Sequence, residues 1–272
     1  MPFPSLDPRW GCPNEKPRIM VLEVREPAEP HEKVCGYLLV EREETPPFDA
    51  KTASTVAFAW IRVHYQRILP ETRWDGGREV FSGSYSRSDN AVSITSSSIG
   101  EGGIDLRIPH LQGHRIGTYL MNEIVRWVKQ WPTAAVRQFR LSENDGYAEN
   151  KERRNRFYEQ FGIEFEYTDD DRKAGISRPM TASSLNMVNT WEKNISEYKV
   201  QEFMAMLLRD NATVKADVLA VDRANKSLRE ELYKAIRAPL RWAFAITFRR
   251  YAWHAAGVLL AGAAVYRLWA YV

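Results

Sequence analysis

Cysteine is scarce in this chain of 272 residues: it has only Cys12 and Cys35 and no C-x-x-C pair. Two cysteines are too few for a disulfide framework, and this usage is typical of a protein kept in a reducing cytosol. His64, His110 and His114 share no metal-ligand spacing with one another. The sequence therefore predicts neither a disulfide framework nor a metal site.

An excess of charge of one sign is also missing. The formal net charge is +3 and the pI is near 8.8, a balance too mild to indicate nucleic-acid binding by itself. The N-terminal stretch MPFPSLDPRWGCP has no apolar run that could serve as a signal peptide. Apolar residues make up 44% of the chain, which is enough for one sizeable domain with an appendage, or for two small domains.

Residues 1–180 hold most of the glycine and proline and mix short strand-like runs with helical ones. This mixture predicts a globular domain of the α/β class. Within it, strands are predicted at 34–42, 78–85, 91–98, 104–108, 135–141 and 163–167, and helices at 52–69, 116–131 and 150–161. Two further regions, 185–237 and 238–272, differ in character and are expected to lie outside this domain.

Glycine and proline are absent from residues 185–236, where apolar residues fall on a 3-4 repeat. The d column contains Val200, Leu207, Val214, Val221, Leu228 and Ala235, and the a column contains Met204, Asn211, Val218, Asn225 and Leu232. A buried Asn at an a position fixes register and favours a parallel pair. The repeat predicts a coiled-coil helix over 185–237 that joins two copies into a homodimer. The alternative is a long amphipathic helix docked on the domain, although such helices normally show a wider apolar stripe.

The last region, 238–272, is apolar and aromatic, but its uninterrupted part, 255–266, is short enough to be a buried helix. The run reaches spanning length if Arg267 snorkels toward the far interface. Arg249 and Arg250 would then hold the amino side in the cytoplasm. We expect a hydrophobic helix that anchors the chain in membrane lipid, at the cytoplasmic face. An interfacial helix and a helix packed in a soluble cytoplasmic protein are the alternatives.

The segment IPHLQGHRIGTYL, residues 108–120, leads from a predicted strand through a loop with two glycines into a predicted helix. The first backbone N–H groups of a helix have no intrahelical partner, and together with the helix dipole they attract phosphate. A Gly-x-x-x-Gly loop is nevertheless weak evidence when it stands alone. An ordinary strand-to-helix turn would fit the same residues.

Residues 104–167 as a whole resemble the GNAT superfamily of acyl-CoA-dependent N-acetyltransferases. The first family signature, V-x-P-x-x-R/Q-x-x-G-x-G/A, is matched at Ile108-Pro109, Gln112 and Gly117. Arg115 departs from it, because the family has a glycine there. The guanidinium of Arg115 would either point to solvent or contact the cofactor phosphates.

The second family signature is a strand, an Asn-led helix that ends in a tyrosine, and a Gly-Phe/Ile turn into a last strand. It is matched by AVRQFRL, then Asn150, then RFYEQFGIEF with Tyr158 at the tyrosine position. The resemblance implies a GNAT-like mixed central sheet flanked by helices. The coiled-coil region and the hydrophobic tail lie outside the family pattern.

The resemblance also implies that acetyl-CoA is the acyl donor. Its pantetheine arm would lie beside the strand that enters the loop, and its pyrophosphate would lie on the loop amides. The cofactor-binding positions would be Leu106, Arg107, Ile108, Gln112, Gly113, His114, Arg115, Ile116, Gly117 and Thr118. Asn150 would be a further cofactor contact or else the N-cap of its helix.

The implied reaction is direct transfer of the acetyl group to an amine, and it needs a proton donor and a base. Tyr158 would protonate the leaving thiolate, unless it only packs at a helix end. Glu101 is the candidate base, with Asp105 and Glu143 as alternatives; each also fits a solvated carboxylate, and a water chain could replace all three. The competing interpretation is a catalytically degenerate GNAT fold that acts as a membrane-tethered scaffold or regulator through its coiled coil.

Overall fold

A computed structural model describes residues 18–28, 33–45, 56–69, 79–98, 111–141 and 149–269. The chain divides into two compact units, Met1–Met204 and Ala205–Val272. The strands are β1 (Ile19–Arg25), β2 (Val34–Thr45), β3 (Phe58–Leu69), β4 (Glu79–Ser86), β5 (Ala91–Ser93), β6 (Ala135–Val136), β7 (Arg140–Leu141), β8 (Phe165–Tyr167), β9 (Gly175–Ser177), β10 (Met180–Thr181) and β11 (Ile195–Lys199). The helices are α1 (Ile116–Val128), α2 (Glu149–Glu159), α3 (Val200–Arg237) and α4 (Pro239–Trp269).

The first unit is built on a mixed sheet of eight strands in the order β10-β6-β5-β4-β3-β2-β1-β11. Its described pairs are antiparallel except β5 with β6, which run parallel. A smaller antiparallel sheet has the order β7-β9-β8. The structure therefore confirms the mixed α/β class, with a large mixed sheet and helices.

Helix α1 forms the centre of the core. Leu120, Met121 and Ile124 are fully buried in it. A Cβ added to Gly83 of β4 would lie 2.9 Å from Cγ2 of Ile124 and 3.0 Å from the carbonyl oxygen of Ser93. Glycine at position 83 therefore lets the helix lie directly on the sheet.

Several predicted elements are confirmed, with their ends moved by a few residues. They are the strands at 34–42, 78–85 and 163–167 and the helices at 116–131 and 150–161, which correspond to β2, β4, β8, α1 and α2. The strand predicted at 91–98 is regular only over Ala91–Ser93. The strand predicted at 104–108 lies outside the described residues.

The helix predicted over 52–69 is wrong, because the described part of this segment is strand β3. Its burial alternates along the chain: Ala59, Ile61, Val63 and Tyr65 are buried, and the residues between them are partly exposed. Period-two burial is the pattern of a strand with one face on the core. β-Branched and aromatic residues, in which this segment is rich, also favour strands.

The strand predicted over 135–141 is two strands that belong to different sheets. β6 pairs with β5 in the large sheet, and β7 pairs with β9 in the small one. Strands β1, β9, β10 and β11 were not predicted, and β11 lies beyond residue 180, the expected end of the α/β domain. The chain therefore returns to the edge of the large sheet just before the long helix begins.

The long helix α3 begins at Val200 rather than near 185, since Ile195–Lys199 form β11. The apolar residues of its two heptad columns from position 204 to 232 are exposed by 48–64%: Met204, Leu207, Val214, Val218, Val221, Leu228 and Leu232. A helix therefore follows the α/β unit, as predicted, and it carries an exposed apolar stripe. Its pairing with a second copy stays a prediction.

Helix α4 begins at Pro239, a residue suited to the first turn of a helix because its missing N–H would have no intrahelical partner there. Many of its large apolar side chains are exposed, from Leu240 at 86% to Trp242 at 37%. Among the described residues, no helix combines the length and the apolarity needed to cross a membrane.

Candidate cofactor-binding site

The loop that enters α1 has an unusual backbone at two positions. Gly113 has a φ of 84°, and Arg115, the N-cap of α1, has a φ of 62° and a ψ of 16°. This left-handed conformation is easy for glycine but costs about 1–2 kcal/mol for a residue with a side chain. The chain thus keeps, at Arg115, a backbone shape that glycine normally adopts.

The first turn of α1 has backbone donors without an intrahelical acceptor. The first intrahelical bond runs from the N–H of Tyr119 to the carbonyl of Arg115, at 3.0 Å. The N–H groups of Ile116, Gly117 and Thr118 therefore have no intrahelical acceptor. The first turn has no acidic residue, so no carboxylate there offsets the positive end of the helix dipole.

Asn194 holds the loop in place from the start of β11. Its Oδ1 accepts a hydrogen bond of 2.8 Å from Nη1 of Arg115, and its Nδ2 donates to the carbonyl of His114 at 2.9 Å. Nδ2 also lies 3.2 Å from the carbonyl of Arg25, at the end of β1. Asn194 is only 2% exposed, so its hydrogen bonds to the loop lie in the interior.

The Arg115 guanidinium thus has a structural partner that the sequence did not suggest. Its Nη1 donates to Oδ1 of Asn194, and a further contact of the guanidinium with solvent or with the cofactor phosphates stays a prediction. The loop amides remain the groups that could meet a phosphate. No sequence motif surrounds Asn194, and only the folding of β11 back onto β1 brings it to the loop.

The pairing partner of the chain changes after the parallel pair β5–β6. Arg137 donates its N–H to the carbonyl of Val92 at 2.7 Å, and there the pairing of the large sheet ends. Two residues later, Phe139 donates its N–H to Oγ of Ser177 at 3.0 Å, in the small sheet. The chain therefore leaves β5 as it passes from β6 to β7 in the small sheet, and we call this change of partner the splay.

Tyr158 lies in α2 next to this splay. Its ring centroid is 5.2 Å from that of Phe139, and it also packs against Phe157 and Phe165, at 5.0 and 5.4 Å. Tyr158 is 7% exposed. The structure thus brings the predicted proton donor beside the point where the strands part, within an aromatic cluster.

The end of α2 also meets the start of α1. Nε2 of Gln160 donates to Oγ1 of Thr118 at 3.2 Å. This bond links the segment that carries Tyr158 to the loop that offers free amides. Gln160 was not singled out from the sequence, because a glutamine at a helix end has no motif of its own.

The remaining predicted site residues are placed only in part. Glu101, Leu106, Arg107 and Ile108 lie outside the described residues. Asn150 is the second residue of α2 rather than the residue before it, and its Oδ1 accepts a hydrogen bond from Nη2 of Arg153 at 2.5 Å. It is therefore not the N-cap.

No family model, curated protein or solved structure matches the chain. The resemblance to the GNAT superfamily consequently rests on the two signatures quoted above.

Proposed function

We propose that this chain is an N-acetyltransferase that moves the acetyl group of acetyl-CoA onto a primary amine by direct attack. The observation that carries the proposal is the left-handed backbone of Arg115, at the position where the GNAT signature has glycine. Asn90 and Arg172 also have a positive φ, in turns elsewhere in the chain, so the conformation of Arg115 supports the proposal through its position in the signature. A loop that turns its amides toward a phosphate is a reason for the chain to keep it.

The splay between β5 and β7 supports the same proposal. In GNAT enzymes the thioester lies between two central strands that diverge, and here the parallel pair ends at Arg137. The parallel order β5–α1–β6 places the loop before α1 at one end of that pair. The pyrophosphate would lie on the amides of Ile116, Gly117 and Thr118, and the thioester would reach into the splay.

The proposed chemistry needs one attack and two proton movements. The unprotonated amine attacks the thioester carbonyl carbon, the C–S bond breaks, and the sulfur leaves as a thiolate. The phenol of Tyr158 gives its proton to that thiolate. Glu101 or a water chain takes the proton released by the amine nitrogen, and solvent restores the proton of Tyr158.

The C-terminal unit fits a tethered dimer. The exposed apolar stripe of α3 would be covered by α3 of a second copy, with the Asn211 and Asn225 layers matched. The exposed aromatic residues of α4 would contact lipid at the cytoplasmic face of a membrane. The second copy and the membrane lipid are both proposed from the apolar pattern of the sequence and the exposure of these side chains.

A degenerate GNAT fold that works as a scaffold is the second candidate. The burial of Tyr158 among three phenylalanines favours it, because a tyrosine needed only for packing would have the same surroundings. A scaffold would use the coiled coil and the tail without turnover.

Tyr158→Phe separates the two candidates. The full chain is titrated with acetyl-CoA by calorimetry, and release of CoA is then followed with a panel of primary amines. We expect the variant to keep its acetyl-CoA affinity and to lose turnover about 100-fold, the typical contribution of a positioned proton donor. Gln160→Ala is the matched control on the same helix end, and its loss of turnover should be smaller.

Equal losses of binding and turnover in Tyr158→Phe would assign the residue to packing. Binding of acetyl-CoA without CoA release for any amine would support the scaffold. If wild type shows neither heat nor thermal stabilisation with millimolar acetyl-CoA, the proposed cofactor is wrong.

Removal of residues 238–272 tests the membrane contact. We expect the full chain to sediment with vesicles that contain anionic lipid and the truncated chain to stay in the supernatant, because the aromatic and arginine side chains of α4 are lost. Acetyl-CoA binding by the truncated chain is the control for folding. A full chain that stays in the supernatant with every vesicle would contradict the proposed anchor.

A further inference from the structure

Three side chains from distant parts of the sequence meet beside the candidate loop. Glu26 follows β1, Cys35 lies near the start of β2, and His114 lies in the loop before α1. Oε2 of Glu26 is 3.7 Å from Sγ of Cys35 and 3.6 Å from Nε2 of His114. The three ligand atoms lie within 4.8 Å of one another. A thiol, an imidazole and a carboxylate are therefore gathered at one point.

These separations are close to those that a tetrahedral zinc ion imposes. Zinc bonds of about 2.0–2.3 Å to sulfur, nitrogen and oxygen place neighbouring ligand atoms about 3.4–3.6 Å apart. The two distances at Glu26 differ from this range by about 0.1 Å or less. The third separation, between Sγ of Cys35 and Nε2 of His114, lies within 4.8 Å, and side-chain rotations would have to bring these two atoms into the same range.

A hydrogen bond orients the ring of His114. Its Nδ1 is 3.1 Å from the carbonyl oxygen of Gln112. A carbonyl can only accept, so Nδ1 donates this hydrogen bond, and Nε2 is the ring nitrogen that faces Glu26. A hydrogen bond from the other ring nitrogen to a backbone carbonyl typically orients metal-binding histidines.

Nε2 of His114 is buried and has no hydrogen-bond partner among the residues that the structure describes. Its imidazole is 13% exposed. A buried polar atom that makes no hydrogen bond is costly. A bound ion at the junction of the three side chains would satisfy it.

The charges of the three side chains also fit a divalent ion. Cysteine binds such ions as the thiolate, so binding would release the thiol proton of Cys35. The thiolate and the carboxylate of Glu26 together would match the charge of the ion.

We propose that Glu26, Cys35 and His114 form a divalent metal site of the zinc class. The ligands are the Cys35 thiolate, Nε2 of His114 and a carboxylate oxygen of Glu26, and water completes a tetrahedron. The mixed sulfur and nitrogen donors select Zn²⁺ or Co²⁺ over Mg²⁺, which prefers oxygen ligands only. The ion fastens the loop before α1 to the β1–β2 end of the sheet.

Cobalt substitution tests this site directly. The full chain is stripped with a chelator and titrated with Co²⁺, and a thiolate-to-cobalt charge-transfer band is followed in the near ultraviolet. We expect one ion per chain, displacement by Zn²⁺ and no competition from Mg²⁺. Cys35→Ser should abolish the band, and His114→Gln and Glu26→Gln should each weaken Co²⁺ binding at least tenfold.

Cys12→Ser is the matched control, because it removes the other cysteine of the chain; its binding curve should match that of wild type. Circular dichroism of the metal-free proteins checks folding, and the variants at Glu26 and His114 serve if Cys35→Ser does not fold. The proposal is overturned if wild type gives no thiolate band, or if the band survives in Cys35→Ser. The titration contains no acetyl-CoA, so its outcome is independent of the proposed transferase activity.

Discussion

Two leucines show how differently the two units of this chain use the same amino acid. Leu120 lies on α1 and is fully buried, whereas Leu228 lies on α3 and is 64% exposed. Both belong to helices with regular apolar spacing. The difference is that α1 has the large sheet against it, whereas the structure describes nothing packed on Leu228. An apolar stripe thus identifies a face that needs a partner without identifying the partner.

The same contrast occurs within the first turns of α3. Phe203 is 7% exposed and packs against the rings of Tyr37 and Tyr198, at centroid distances of 5.1 and 6.0 Å. The next residue, Met204, is 55% exposed. The start of the helix is therefore part of the core of the first unit, and the exposed stripe begins immediately after it.

The largest effect on stability is expected when leucine is replaced by alanine at one position in each unit. Leu120→Ala should lower the free energy of unfolding of the first unit by about 2–5 kcal/mol, because it leaves a cavity in a packed core. Leu228→Ala should leave that unfolding free energy nearly unchanged and should weaken self-association instead. Urea unfolding followed by tyrosine and tryptophan fluorescence, together with sedimentation equilibrium, measures both quantities.

Similar losses of unfolding free energy of the first unit in the two variants would contradict this contrast between Leu120 and Leu228. That result would mean that α3 is docked as a core helix and that its exposed stripe is covered within one chain. A Leu228→Ala variant with unchanged association would argue against a dimer through α3.

A smaller effect tests how the two copies of α3 would be arranged. In a parallel, in-register coiled coil, Asp217 at a g position faces Asp222 at an e position of the other copy, and the two charges repel. Asp222→Lys converts this pair to attraction and should stabilise the dimer by about 1 kcal/mol, or about fivefold in its dissociation constant. Sedimentation equilibrium at low salt measures the change.

An antiparallel pair reverses the sign of this effect. With full overlap it places Lys215 near position 222 of the other copy, so that Asp222→Lys would create repulsion and weaken the dimer. Asp222→Asn is the control that removes the charge without adding one. Weaker association of the Lys variant would exclude the parallel arrangement.

An effect of similar size concerns the strained loop of the first unit. Arg115→Ala and Arg115→Gly both lose the hydrogen bond to Asn194, but only glycine relaxes at a φ of 62°. We expect the glycine variant to be more stable than the alanine variant by about 1 kcal/mol in urea unfolding. Equal stabilities would mean that the loop adopts another backbone conformation in solution.

In the first unit, the helices and strands that could be predicted from the sequence are those with one apolar and one polar face. The apolar spacing of α1 and the alternation in β2 identified both elements within a few residues of their observed ends. The segment at 52–69 was misassigned because the spacing of its apolar residues, taken without the neighbouring strands, fits both the period of a helix and the period of a strand. Pairing of β3 with β2 on one side and β4 on the other decides for a strand.

Within the candidate site, the loop residues from Gln112 to Thr118 and Tyr158 follow from local motifs. Asn194 and the group of Glu26, Cys35 and His114 could not be found that way, because no spacing in the sequence connects them. The strands β1, β2 and β11 must pair before these side chains meet the loop.

The sequence by itself determined which segments carry apolar faces, where α1 and the long helix would run, and which loop could offer free amides. These features depend on neighbours three or four residues apart, and such contacts are local. Only the tertiary structure decided which faces find a partner, that Arg115 bonds Asn194, and that a thiol, an imidazole and a carboxylate share one point. Such contacts join residues as many as 169 positions apart in the chain, from Arg25 to Asn194, and only the packing of the sheet brings them together.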